Sequence, residues 1–277
     1  MIRKLMPFNT VAANTTATVE IEKGLTVHAI ELRFAATGEE ANFDKTHFSR
    51  IRAKLNGKTI FEATGQELQA MNSYKKRPDT TGKLTIHFDE PEAMTLGGMM
   101  AGGIPTAKDC NSFALEVQLG DLVGSPTLYG YMICTPPLVD NTGAVLGCWD
   151  VPINAIVRTE NPFSAAGGYS MGLPYGKDAG HNLKRFFMFH SNLTHVELKR
   201  NGYTVVDEIP VADLGNIAAD YNNAPQSGLC ALDLVYNGNM AEAMDTLSAQ
   251  TVVLKATVSQ ADTIKMLTDL YGLLKNM

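Results

Sequence analysis

Few residues in this chain have the type and spacing that catalysis needs. Gly168-Tyr-Ser-Met-Gly172 carries the letters G-x-S-x-G of a nucleophile elbow. That device requires a strand before the serine and a helix after it, so that Oγ stands exposed on a tight turn. Ser164-Ala-Ala-Gly-Gly precedes it and Leu173-Pro-Tyr-Gly follows, so a Gly-rich loop is expected instead. The six histidines (His28, His47, His87, His181, His190, His195) form neither H-x-H nor H-E-x-x-H. A cupin-type metal enzyme therefore lacks its ligand set. His190 and His195 read as hairpin residues. His87, between Ile86 and Phe88, is expected on a solvent-facing sheet surface. Cys110, Cys134, Cys148 and Cys230 show no C-x-x-C spacing. They read as small apolar residues in a reducing compartment. No catalytic residue is assigned, and an enzyme is not expected.

Two acidic groups have the chemistry for calcium: Glu39-Glu40 with Asn42 and Asp44, and Asp140-Asn141. Neither follows EF-hand spacing, and solvated loop charge is the ordinary reading. Lys75-Lys-Arg-Pro78 is a short basic cluster, too small to imply nucleic acid by itself.

The elements that must position these residues are bounded by composition. The chain has 277 residues, 45% hydrophobic and 19% charged, and a formal charge of −6. That suits two globular domains of roughly 140 residues and excludes disorder as the main theme. Net acidity argues against a direct nucleic-acid binder. Met1-Ile-Arg-Lys-Leu-Met-Pro-Phe8 begins like a signal peptide, but Asn9, Thr10 and Asn14 interrupt any apolar run. Export is therefore not expected.

The chain repeats itself once. Ile51-Arg-Ala-Lys-Leu-Asn-Gly-Lys-Thr-Ile-Phe-Glu62 matches Val196-Glu-Leu-Lys-Arg-Asn-Gly-Tyr-Thr-Val-Val-Asp207 at an offset of 201 − 56 = 145. Each reads strand, Asn-Gly turn, strand, because both turn positions favour positive φ. Asn56, Gly57, Asn201 and Gly202 are therefore assigned as structural hairpin turns. A short helical stretch follows in each copy, Gly65 to Tyr74 and Val211 to Tyr221, with Pro78 or Pro225 beyond. Leu84, Ile86 and Phe88 alternate as Cys230, Leu232 and Leu234 do. Phe113, Leu115 and Val117 resemble Val252, Leu254 and Ala256. Leu128-Tyr-Gly130 resembles Leu270-Tyr-Gly272 at 270 − 128 = 142.

Period-2 alternation predicts strands over 17–22, 25–34, 50–56, 58–62, 83–89, 112–119 and 127–134. In the second copy it predicts 183–190, 194–200, 203–207, 229–236 and 250–258. For 261–274 a strand is favoured over a helix. The first strand of copy two is obscure in the Gly-rich segment 165–180. Seven or eight short strands per copy suit a sandwich, so the expected fold is all-β: two tandem eight-stranded jelly-roll β-sandwiches with short helices in loops. The first domain is 1–137. The second, 138–277, includes the linker around Thr135-Pro-Pro-Leu-Val-Asp-Asn-Thr-Gly143.

At this point the sequence resembles a known family. It is similar to the double-jelly-roll major capsid proteins of tailless, membrane-containing icosahedral DNA viruses, most of all the corticovirus-like bacteriophages. The residues carrying the resemblance are Leu25-Thr-Val-His-Ala-Ile-Glu-Leu-Arg33, Leu55-Asn-Gly-Lys-Thr59, Leu198-Lys-Arg-Asn-Gly-Tyr-Thr204 and Ile264-Lys-Met-Leu-Thr-Asp-Leu-Tyr-Gly272. The resemblance implies a major capsid protein. Its homotrimers would form pseudo-hexagonal capsomers that tile an icosahedral shell over an internal membrane. It implies penton and minor coat proteins as partners, no direct nucleic acid, assembly in the host bacterial cytoplasm and a final place in the virion. It also admits calcium. Under it, Ile2, Arg3, Lys4 and Leu5 become a candidate membrane-facing tail, as each cation near anionic lipid is worth about 1 kcal/mol. The rival reading is a two-domain carbohydrate-binding β-sandwich, which calls for an exposed aromatic row. The one tryptophan, Trp149, lies in the linker region instead.

Overall fold

The computed structural model describes residues 1–173 and 180–277. The first half runs β1 (Ile2–Lys4), β2 (Thr16–Glu20), β3 (Thr26–Asn42), β4 (Phe48–Leu55), β5 (Lys58–Ala63), α1 (Gly65–Tyr74), β6 (Lys83–His87), α2 (Leu96–Met100), β7 (Ile104–Pro105), β8 (Phe113–Leu119) and β9 (Val123–Thr135). The second runs β10 (Pro152–Phe163), β11 (Gly167–Gly172), β12 (Asn182–Phe189), β13 (Leu193–Arg200), β14 (Tyr203–Pro210), α3 (Val211–Asp220), β15 (Leu229–Asp233), β16 (Met244–Asp245), β17 (Val252–Val258) and β18 (Asp262–Leu273).

Setting aside the two-residue strands β7 and β16, each half has eight. The first pairs β1-β9-β3-β6 and β2-β8-β4-β5; the second pairs β10-β18-β12-β15 and β11-β17-β13-β14. Counted within a half, both orders are 1-8-3-6 and 2-7-4-5. That is the strand order of a jelly roll, so the chain is a double one. The alternation that predicted it is what fills it. Ala17 and Val19 on β2, and Phe113, Leu115, Val117 and Leu119 on β8, are buried between the sheets. Glu31, Arg33 and Lys83 pair on the outer surface. Each fully buried large apolar side chain contributes about 1.5–3 kcal/mol.

The Asn-Gly turns have the conformation their sequence demands. Asn56 and Gly57 have φ of 50° and 79°; Asn201 and Gly202 have 51° and 80°. Both asparagines do a second job. Asn56 Oδ1 accepts from the backbone N–H of Asn111 (2.7 Å) and Ser112 (3.3 Å), and Asn201 Oδ1 accepts from Gln250 (2.7 Å) and Thr251 (3.1 Å). Each turn thus clamps the chain entering the seventh strand of its own barrel.

Strand register identifies equivalent residues in the halves. A bulge falls between Val27 and Ala29 on β3, opposite Cys134 and Ile133. Another falls between Leu183 and Arg185 on β12, opposite Leu270 and Asp269. β7 lies on Thr26 and Val27 as β16 lies on Asn182 and Leu183. His28 therefore corresponds to Lys184, and Ile133 to Asp269. Since Ile2 pairs with Ile133 and Ile156 with Asp269, Ile2 corresponds to Ile156.

Three expectations are corrected. First, the Leu-Tyr-Gly match at offset 142 is out of register, because Ile133 to Asp269 is 269 − 133 = 136. Each glycine there answers a separate crowding: a Cβ on Gly130 would come within 2.9 Å of Leu5 Cδ1, and one on Gly272 would strike the His181 ring. Second, Gly168 to Gly172 is not a loop but part of β11, with Ser170 opposite Lys255. The rest of the obscure Gly-rich segment, 174–179, lies outside the described residues. Third, β1 and β10, the first strand of each barrel, went unrecognised, since neither alternates cleanly. The C-terminal segment is a strand, as favoured.

Asn56→Ala is expected to cost about 2–3 kcal/mol, from the lost side-chain hydrogen bonds to Asn111, Ser112, Asp109 and Cys148 and a side chain poorly suited to positive φ. Asn56→Gly should cost less, because it keeps the turn and loses only the clamp. Calorimetric unfolding of both variants measures the difference.

Candidate functional site

The two barrels meet edge to edge. β10 lies parallel to β5 with Ile156 opposite Phe61, so β2-β8-β4-β5 continues into β10-β18-β12-β15 as one nine-stranded sheet that also includes β16. Beside this joint is a buried cluster of charges. The first half supplies Lys75, just past α1, and Glu90, just past β6. The second supplies Lys184 and Arg185 from the β12 bulge, Asp233 at the end of β15, and Asp269 in β18. A bulge redirects consecutive side chains, which is how two adjacent cations reach the same cluster.

Lys184 Nζ lies 2.5 Å from Glu90, 2.7 Å from Asp269 and 2.7 Å from the Asn154 amide oxygen. Arg185 reaches Glu90 at 3.1 Å, Asp269 at 3.0 Å and Asp233 at 2.9 Å. Lys75 reaches Glu90 at 3.0 Å. Three cations thus face three carboxylates. Lys184, Arg185, Glu90 and Asp269 are all buried. Burying an ion costs several kcal/mol, so such a cluster holds only when every charge is matched.

Titration follows from that balance. Burial, reinforced by Arg185, pushes the Lys75 ammonium down to about 8. Burial alone would raise the Glu90 carboxyl, but Arg185, Lys184 and Lys75 outweigh it and hold it well below the usual range. Burial opposes the Arg185 charge too, and Asp233, Glu90 and Asp269 overcome it.

Further bonds cross the seam. Arg158 on β10 grips Glu67 through Nε (3.1 Å) and Nη2 (3.1 Å). Glu67 also closes the capping box of α1 with Thr64. Tyr74 stacks edge-on against Phe187, and Lys58 Nζ donates to the carbonyls of Leu274 and Met277. These contacts carry no substrate chemistry; they hold one barrel against the other.

The residues singled out from sequence lie elsewhere. Residues 2–5 are not a free tail. Ile2–Lys4 is the first strand of a barrel, Leu5 is buried, Arg3 bonds to Glu22, and Lys4 sits over the Tyr129 ring. Asp44 caps the 3-10 turn at Lys45–His47, and Asp140 accepts from Thr142 and Ala144. The Glu40 side chain lies outside the described residues, and among those described no three His, Cys, Asp or Glu converge as metal ligands. His87 is not on a wet face: with His28 it flanks Asp89, at 3.5 Å and 3.6 Å, and burial depresses both imidazoles. His190 accepts from Leu193 N–H in the β12–β13 hairpin. Trp149 packs beneath Lys58. Sequence reasoning missed the charge cluster. Its one signal was Lys184-Arg185 inside the apolar run Leu183 to Phe189, where paired cations require buried anions.

Residues 2–135 match the family model of the viral coat protein P2 N-terminal domain, and residues 153–274 that of the viral coat protein P2 C-terminal domain. The chain belongs to the viral coat protein P2 family. The two matched segments coincide with the two barrels, and the stretch between them is the connection that carries Trp149. Among solved structures, this P2-family chain is similar to the major capsid protein P2 from bacteriophage PM2, with a TM-score of 0.84 at 16% identity over 99% of this chain and 97% of that one. It is also similar to a chain of the Sulfolobus turreted icosahedral virus (0.69; 13% identity; 99% and 91%) and to the PBCV-1 virus capsid (0.65; 9%; 97% and 92%). No curated protein matches its sequence. It is a viral coat protein with the double jelly-roll fold.

Lys184→Met strands Glu90 and Asp269 and should cost about 3–5 kcal/mol in chemical unfolding. The pH dependence has a definite sign. Unfolded Lys75 keeps its proton to about 10.5 and folded Lys75 only to about 8. Its contribution to stability therefore rises with pH across that window. Lys75→Met should remove the rise in unfolding free energies measured between pH 8 and 10.

Proposed function

We propose that this coat protein associates as a homotrimer whose six jelly rolls form a pseudo-hexagonal capsomer. Such capsomers tile an icosahedral shell over an internal membrane. The observation that carries the reading is the duplication: two barrels of identical strand order, joined edge to edge in one chain. Three such chains about an axis present six similar units, a nearly hexagonal outline, with closed cyclic symmetry.

The formal charge of −6 supports a shell that does not grip the genome directly. Neighbouring capsomers, penton and minor coat proteins and the membrane are then its partners. Assembly takes place in the host bacterial cytoplasm, consistent with the four free cysteines.

Light scattering on the purified protein tests the trimer. The expected mass is three times 30.0 kDa, about 90 kDa. A dilution-independent 30.0 kDa monomer overturns the reading.

A further inference from the structure

Lys184 is the one buried lysine among the described residues. Its Nζ donates hydrogen bonds to Glu90 at 2.5 Å and to the Asn154 amide oxygen at 2.7 Å. Ion pairing accounts for Glu90 and for Asp269 beside it. It does not account for Asn154, an uncharged amide that is itself only 5% exposed. An amine, an amide and a carboxylate in mutual contact, away from water, are the parts of an amide-exchange reaction.

The fold brings these groups together from three directions. Asn154 lies on β10 opposite Tyr271 of β18, and Lys184 lies in the bulge of β12 on the other side of β18. The two side chains therefore reach each other across one intervening strand. The Asn154 amide packs on Gly102, where a Cβ would come within 2.6 Å of its Cγ, and Asn154 N–H donates to the Gly102 carbonyl. Gly102 has a φ of 91°, so glycine is needed there both for the turn and for the close approach. With Nζ 2.7 Å from Oδ1, Cγ stands one C=O bond beyond it and so within about 4 Å of Nζ. Attack needs about 3–3.5 Å, which a shift of roughly half an ångström in the lysine supplies.

We propose that Lys184 and Asn154 become joined by an isopeptide bond, with Glu90 carrying the proton. Lys184 passes one of its three ammonium protons to Glu90, and the freed amine adds to Cγ of Asn154. The Cγ–Nδ2 bond then breaks as a second proton moves from the attacking nitrogen to the departing one. Ammonia leaves, the third proton stays on the new amide nitrogen, and Glu90 ends protonated. No oxidant, metal or cofactor is required.

Charge stays matched throughout. Burial opposes the Glu90 charge, and Arg185, Lys184 and Lys75 overcome it, which keeps Glu90 in the proton-accepting form beforehand. Afterwards one of those cations is gone, which favours retention of the transferred proton. Three cations and three carboxylates become two and two, Lys75 and Arg185 with Asp233 and Asp269. Fewer buried ions remain, so the desolvation cost of the seam falls. Glu90 comes from the first barrel, whereas Lys184 and Asn154 belong to the second. The bond therefore forms only after the seam has closed. The first barrel has no copy of it, because His28 stands where Lys184 stands in the second.

Intact-mass spectrometry of the full chain tests this without any variant. The expected mass is below the sequence mass by one ammonia, about 17 Da, and proteolysis should release a branched peptide linking positions 154 and 184. Glu90→Gln, checked for folding by circular dichroism, and Asn154→Ala are expected to keep their full sequence masses. The Asn-Gly turns can also shed ammonia by closing to succinimides, so the mapped position decides. A full sequence mass in the unsubstituted chain, or an ammonia loss mapped to Asn56 or Asn201 alone, overturns the proposal. A loss of water, about 18 Da, with the branch at Asp269 overturns the assignment of Asn154. A bond that still forms in Glu90→Gln overturns the role given to Glu90.

Discussion

The structure depends on how charge is matched at the seam. Three cations and three carboxylates are withdrawn from water where the two barrels meet, and their sum is zero. Buried ion pairs are weak contributors to net stability but harsh judges of geometry, because moving one partner away leaves the other stranded in low dielectric. An apolar seam would tolerate sliding and re-packing. A seam that must satisfy Lys184 and Arg185 from one side and Lys75 and Glu90 from the other tolerates little. The bidentate Arg158–Glu67 contact adds a second fixed point, and Glu67 is itself fixed by the capping box of α1. The barrels therefore behave as one body rather than two beads on a linker.

The halves show how far a duplicated fold can diverge while its strand order stays constant. The bulge on the third strand is kept in both copies, as is the short rung laid beside it. The asparagine clamp is kept down to its two backbone acceptor bonds. These are backbone devices, and a jelly roll needs them wherever it stands. What has changed is the side-chain chemistry. At the bulge, the buried His28 and Ala29 stand in one barrel where the buried Lys184 and Arg185 stand in the other, and of the two bulges only the second places cations against the carboxylates of the seam.

Much of this was legible in the sequence, and the limits have physical reasons. Strands with one wet face, such as β3 with Glu31 and Arg33, declare themselves by alternation. Asn56-Gly57 and Asn201-Gly202 declare themselves because few other dipeptides accept two positive φ values. β10 did not, because it is flanked by sheet on both sides and carries Arg158, Glu160 and Pro162 in its outer half. β1 did not, because three residues hold no period. The Leu-Tyr-Gly match misled because glycine answers local crowding, and crowding can recur out of register. The charge cluster is assembled from residues scattered between positions 75 and 269, and single-chain patterns do not report pairings at that range.

A joint of the kind seen between β5 and β10 is head-to-tail, and head-to-tail contacts have no intrinsic end. Repeated with a turn of roughly 60° per barrel they close into a ring; repeated with a slightly different turn they wind into an open spiral. The charged seam sets that turn for every second step. In a trimer of the kind proposed above, its stiffness would decide between a finite tile and a fibre, and a substitution that loosened it would be felt first as wrongly shaped assemblies rather than as unfolded protein.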